Sequence, residues 1–258
     1  MSIELYSSGD LAALRRAGAV AAATLAYVGD QLCSGMCTAE IDRLVREDTR
    51  RRGGRPSQLG FQGFPAAVCT SRNDVVCHGI PSSEEWLEEG DILNVDVTTC
   101  LQGFHGDTSR TFFIGPPGPE ARHVVETAEQ CLMAGINAIR PGAQLGDIGW
   151  AIQRTADAAG CTVVRDYCGH GIGRHMHQPP EVPPTGRPGT GLILRPGMAF
   201  TVEPMVNQGR AQTRLDRDGW RVVTVDGSLS AQFEHTVIVT ADGHEVLTLA
   251  PEPPRPHS

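Results

Sequence analysis

No basic segment leads into an apolar one in the opening stretch MSIELYSSGDLAALRRAG, so no secretory leader is expected. No apolar run approaches the length of a membrane span, and the expectation is a cytoplasmic chain with no membrane partner. Concentrated basic blocks are missing as well. The formal charge is −8, from 22 basic and 30 acidic residues. That balance disfavours a nucleic-acid partner, because phosphates select basic surfaces. The triple Arg50-Arg51-Arg52 falls at the end of a predicted helix, where it complements the negative end of the dipole. None of the eight cysteines forms a CxxC pair. Free thiols in a reducing compartment are expected, with Cys33 and Cys37 as small buried apolar residues.

What is present is enough for a sizeable core: 258 residues, 40% of them apolar. Leu11, Leu14, Ala17, Ala21, Leu25 and Val28 recur at helical spacing. A second helix is predicted from Thr38 as N-cap, with Ile41, Leu44 and Val45 on its apolar face and Gly53 ending it. From Phe61 to Gly115 short apolar runs broken by Gly and Pro read as strands. In DILNVDVTT, Leu93, Val95 and Val97 point one way while Asn94, Asp96 and Thr98 point the other, and Gln102-Gly103 turns the chain back. Two more helices follow, stopped by Pro141-Gly142 and by Gly160. Strands then return around 162–166, 199–203, 222–225 and 234–240. The proline-rich QPPEVPPTGRPGTG reads as loop, and residues 251–258 as a disordered tail beyond one catalytic domain over 1–250.

The order helix, helix, strands occurs twice, and short motifs recur within it. Cys77-His78-Gly79-Ile80 is matched by Gly169-His170-Gly171-Ile172. Asp96 follows Gly90 by six residues in GDILNVD, as Glu203 follows Gly197 in GMAFTVE. Asp107 and Glu234 open the similar segments DTSRTFFIG and EHTVIVT. Two related halves meeting about a pseudo-twofold axis are therefore expected. Each half then supplies a histidine and two carboxylates from strand regions. The hairpin makes Asp96 and Asp107 near neighbours, allowing for a bulge, and two ionised carboxylates so close repel strongly without a cation. With Glu203, Glu234 and a histidine, the set suits two divalent ions bridged by shared carboxylates.

These motifs, with VCTSRNDVVCHGIP, YCGHGIGRHMHQPPEV and SLSAQFEHTVIVT, closely resemble those of type I methionine aminopeptidases over about residues 11–249. The resemblance implies the α/β pita-bread fold with its internal pseudo-symmetry. It also implies a pair of divalent ions, Mn, Fe, Co or Zn. In that scheme Asp96 chelates one ion, His170 and Glu203 the other, and Asp107 and Glu234 bridge both. Solvent activated between the ions is the implied nucleophile, and Glu203 the general acid/base. His78 and His177 contact the scissile amide and the developing oxyanion, while His175 is idle. Phe61, Phe64, Cys69, Met176 and Trp220 line the methionine pocket.

That pocket departs from the family pattern. Phe61 replaces the usual Tyr, Gln58 stands where bacterial members often have Cys, and Met176 stands where Phe is usual. The flexible thioether of Met176 still suits a methionine side chain. The implied function is removal of initiator methionine from nascent chains whose second residue is small, at or away from the ribosome, by a monomer of the short bacterial form. By that rule Met1-Ser2 makes the chain its own substrate. The alternatives are a proline-directed pita-bread hydrolase, whose members usually carry a large N-terminal domain, and a non-catalytic binding relative, which typically loses metal ligands. A phosphate-binding use of GHGIG fails, since no Lys-Ser/Thr follows the glycines and Pro179-Pro180 precludes a helix there.

Overall fold

Alternation decides which way the central hairpin faces. In the computed structural model, which describes residues 3–249, Leu93, Val95 and Val97 bury against Leu25, Val28, Ile41, Leu44 and Val45 of the first two helices. Asn94, Asp96 and Thr98 are left for the opposite face. The tail expected at 251–258 and the Met1-Ser2 start lie outside the described residues.

In chain order the elements are α1 (Ser8–Gly29), α2 (Thr38–Arg51), β1 (Arg55–Pro56), β2 (Cys69–Arg72), β3 (Val75–Cys77), β4 (Ile92–Leu101) and β5 (Phe104–Phe113). There follow α3 (Pro119–Asn137), α4 (Leu145–Ala158), β6 (Thr162–Val163), β7 (Gly169–Gly171), β8 (Gln178–Val182), β9 (Ala199–Val202) and β10 (Met205–Asn207). The last are β11 (Thr213–Leu215), β12 (Val222–Thr224), β13 (Ser230–Gln232), β14 (Glu234–Val239) and β15 (His244–Val246). The main sheet runs β1-β4-β5-β14-β9-β7-β8, with β2 added on β4 and β15 on β14. Its middle is β4-β5 from the first half beside β14-β9 from the second, so the pseudo-twofold read from the motifs falls between β5 and β14. That seam is stitched by side chains: Thr108 Oγ1 donates to the Glu234 carbonyl at 2.8 Å, and Thr236 Oγ1 to the Asp107 carbonyl at 2.8 Å.

Helix α1 lies close on β5 because both are stripped of side chains where they cross. A Cβ on Gly106 would sit 2.5 Å from the Gly18 Cα, and one on Gly18 would sit 2.7 Å from the Leu247 carbonyl oxygen. Gly106 faces α1, so its neighbour Asp107 faces the other way. By length and composition α1 reaches the range of a membrane span, which the sequence reading did not anticipate: its most apolar 18-residue window has a mean hydropathy of 1.3. Half of that window is buried in the fold, and α1 is a core helix. A larger cluster joins α3 and α4 to Phe200, Val202 and Val237 of the second half.

Several local expectations need correction. QPPEV is strand β8, not loop. It forms the end of the sheet order, and an edge strand tolerates residues without an N–H. The N-cap of α2 is Cys37, whose backbone N–H donates to the Glu40 carboxylate, while Thr38 is the first helical residue and its Oγ1 accepts from the Ser82 N–H. Arg51 and Arg52 close on Asp48 one turn back, giving the arginine cluster specific partners beyond the dipole. Cys33 is exposed in the connection between α1 and α2, whereas Cys37, in the same connection, is buried at the start of α2 and bridged to Trp86. The β4–β5 register is regular: Asp107 opposes Thr98 and Asp96 opposes Ser109, so the two acids are diagonal neighbours without a bulge.

Candidate active site

Four carboxylates converge where the two halves meet: Asp96 from β4, Asp107 from β5, Glu234 from the start of β14, and Glu203 just past β9. His170 reaches in from β7, held by its backbone N–H to Thr201 Oγ1 at 2.9 Å. Strand β7 can lie this close to its neighbours because it begins and ends in glycine. A Cβ on Gly169 would collide with the Thr201 carbonyl, and one on Gly171 with the Pro179 carbonyl. The glycines of GHGIG thus serve close backbone approach.

Within this centre, ligand atoms of Asp96, Asp107 and Glu234 lie within 4.8 Å of one another, and so do those of His170, Glu203 and Glu234. Glu234 belongs to both groups. His170 donates Nδ1–H to the Gly171 carbonyl at 3.1 Å, which leaves the Nε2 lone pair facing Glu203 Oε1 at 3.5 Å and Asp107 Oδ2 at 3.7 Å. Burial lowers its pKa to about 3, so the ring is neutral. A third group, Asp107, His170 and His177, also satisfies the distance. His177 differs from the others in standing exposed at the mouth, its ring edge-on to Phe61 at 5.0 Å between centroids.

Burial drives the electrostatics. It raises Asp107 to about 7, and burial with the Asp107 charge raises Glu203 to about 8. Asp96 and Glu234 are pushed well above the carboxylate range by burial first and by the neighbouring acids second. Buried carboxylates crowded together either hold protons or hold cations. The residues present fit a divalent ion. Glu234 Oε1 is buried with no hydrogen-bond partner, and the donor set is oxygen-rich with one neutral imidazole.

Side chains that the sequence reading did not assign hold the acids in place. Thr98 Oγ1 donates to Asp107 Oδ1 at 2.7 Å, and Thr201 Oγ1 to Glu203 Oε1 at 2.7 Å. Gln232 Nε2 reaches Glu203 Oε2 at 3.4 Å. Gln58 Nε2 donates both to Asp96 Oδ1 at 3.1 Å and to the Asp96 carbonyl at 3.0 Å. Both Asp96 oxygens are acceptors, which fixes the amide orientation.

A cavity of about 790 Å³ opens beside the acids, and every residue expected at the site lines it: Phe61, Phe64, Cys69, His78, Met176, His177 and Trp220, with the five potential ligands. Phe64 is both wall and core, buried with Ala66 and Cys69 and edge-on to Trp220 at 5.0 Å. His78 sits at a positive φ of 57° just after β3, between Tyr167 and Trp220, and burial lowers its pKa to about 4. Partial desolvation at the mouth lowers the pKa of His177 as well, although the residue as a whole is exposed. Gln62, Tyr167, Cys168, Gln178, Glu181 and Met205 also line the wall; Tyr167, Cys168, Gln178 and Glu181 fall within YCGHGIGRHMHQPPEV, where only the histidines and Met176 carry an expected role. His175 is exposed and lies outside this cavity.

A pseudo-symmetric α/β sheet carrying acids and a histidine at its seam, beside an enclosed apolar cavity, defines a metal-dependent peptidase of the pita-bread class. The chain belongs to metallopeptidase family M24, whose sequence pattern matches residues 12–241. It is 48% identical to methionine aminopeptidase A of Synechocystis sp. over 96% of this chain and 98% of that one. The crystal structure of methionine aminopeptidase from Rickettsia prowazekii superimposes with a TM-score of 0.95 at 46% identity, covering 96% of this chain and 100% of that one. The Xaa-Pro dipeptidase of Bacillus anthracis shares the fold, with a TM-score of 0.76 at 22% identity, and this chain covers 63% of its length.

Proposed function

We propose that this centre removes the N-terminal methionine from newly made chains whose second residue is small. The observation that carries the reading is the convergence of Asp96, Asp107, His170, Glu203 and Glu234 beside an apolar cavity, in a chain closely similar over its length to methionine aminopeptidases. The likeness to a proline-directed enzyme extends to the fold alone. The described residues act as one catalytic unit, since neither half holds the ligand set by itself.

Asp96, Asp107 and Glu234 would hold one divalent ion, and His170, Glu203, Asp107 and Glu234 would hold the other. When bound, the ions supply Lewis acidity at the scissile carbonyl and bring the acidity of a water molecule toward neutral pH. Phe61, Phe64, Cys69, Met176 and Trp220 enclose the methionine side chain and exclude water from it. The neutral His177 ring offers an N–H to the carbonyl oxygen as charge develops there, and His78 contacts the amide of the leaving residue. Glu203 takes the proton from the attacking water and delivers it to the leaving amine.

The reading extends to a monomer acting in the cytoplasm on nascent N-termini, at the ribosome among other places. The test is metal removal followed by assay on Met-Gly-Ser peptides with Mn, Fe, Co or Zn restored. Activity should vanish and return with metal, and peptides with proline or a bulky residue second should be poor. Asp107→Asn should reduce turnover by about a thousandfold or more and lower metal content. Full loading without methionine release, or preference for a bulky second residue, would contradict the assignment.

A further inference from the structure

A second cleft, of about 480 Å³, adjoins the first and has the opposite electrical character. The catalytic cavity is lined by six carboxylates beyond its hydrophobic wall: Asp96, Asp107, Asp166, Glu181, Glu203 and Glu234. The side cleft presents Arg55, Arg174, His105, His175 and Ser57, and no acid lines it. The two share Phe61, Met176 and His177, so one wall separates the reacting bond from a cationic pocket in a chain of charge −8.

The cationic groups are placed and available. Arg55 stands on β1, whose pairing sets it opposite Cys100 of β4, and it makes no ion pair among the described residues. Arg174 lies over the Phe104 ring at 4.4 Å and shares its charge with Asp10 at 2.8 Å, so Arg55 carries the uncompensated charge. His105 is buried, its backbone N–H bound to the Gly173 carbonyl and its Nδ1 bonded to Ser57 Oγ at 2.9 Å. With Ser57 donating, the neutral ring carries its proton on Nε2, which has no protein partner and serves the cleft as a donor. A guanidinium and an imidazole N–H around a small cleft form a receptor for an oxyanion.

We propose that this cleft is a subsite for the carboxylate of an acidic residue at the third or fourth position of the peptide being processed. The proposal rests on the aminopeptidase reading above. The shared wall puts the cleft a short extended segment from the reacting bond, and each residue of such a segment spans about 3.4 Å. The commonest alternative source of the same chemistry is a small free oxyanion.

The experiment compares Met-Ala-Asp-Ser and Met-Ala-Ser-Asp with their Asn counterparts, using metal-loaded wild type and Arg55→Gln. At least one acidic peptide should show kcat/KM about three- to tenfold above its Asn form, mostly through KM. That ratio should fall toward one in Arg55→Gln, and in wild type when sodium sulfate replaces chloride at matched ionic strength. Equal rates for acidic and Asn peptides in wild type overturn the proposal, and so does a ratio that survives Arg55→Gln. A sulfate-induced rise in Tm that is lost in Arg55→Gln, without any acidic preference, overturns it in favour of a free oxyanion. Were no peptide cleaved at all, the aminopeptidase reading would fall separately. Calorimetric affinities of the same peptides for both proteins would then decide the cleft.

Discussion

Gln58 shows how much one side chain can determine. Its amide pins Asp96 through two bonds, to the carboxylate and to the carbonyl of the same residue, so both the rotamer and the backbone of that acid are held. Groups behind a metal ligand typically govern affinity by about 10- to 100-fold. Gln58→Ala should therefore weaken divalent-ion binding to metal-stripped protein by about tenfold, as read by calorimetric titration. An unchanged affinity would reduce Gln58 to pocket wall. Thr98 and Thr201 play the same part for Asp107 and Glu203. Their signal was present in the sequence, since Thr98 and Thr201 each stand two residues from an acid on the same strand or its end, and so share its face. Gln58 left no such signal, because its reach to Asp96 exists only once strands far apart in the chain have paired.

At the level of elements, the contact of α1 with β5 has no slack. Gly18→Val would drive a Cβ and its two methyl groups against the Leu247 backbone, and overpacking of this kind costs about 1–3 kcal/mol. A fall in Tm with little change in the denaturant m-value is the expected result. The helices and the alternation of β4 were legible from periodicity, and so was the duplication, since short motifs in repeated order survive divergence. What local pattern concealed was position in the sheet. The prolines of QPPEV argue against a strand until it is known that β8 closes the sheet and needs no further partner. Likewise the Asp96–Asp107 register depends on which residues form the turn, and Gln102-Gly103 fixed it without the bulge allowed for. The side chains expected at the site do meet around one cavity, but the cationic cleft beside it draws on Arg55, His105 and Arg174, which belong to three separate segments.

Over the whole molecule, crowded acids tie stability to pH and to metal. Asp107 near 7 and Glu203 near 8 keep protons in the folded protein that the unfolded chain has already released. Metal-free protein should therefore lose stability as pH rises from about 6.5 to 8. The buried rings of His78, His105, His170 and His235, depressed to about 4, 4, 3 and 4, add stability only until the unfolded histidines lose their protons near 6.5, so they offset the loss at the lower edge of that window and not above it. A divalent ion replaces the protons, so the loaded protein should show a flat or rising Tm over the same range, with protons released on binding. Thermal scans at two pH values with and without metal test this, and a metal-free Tm that climbs with pH would sink it. The seam between β5 and β14 has a further consequence. Its bonds join residues 129 apart in sequence, such as Asp107 and Thr236. Contacts of such separation form late in folding, because the entropy of a long closed loop must be met first. The peptidase therefore stays inert through most of its own synthesis and folding, and its ligand set closes only when the second half docks on the first.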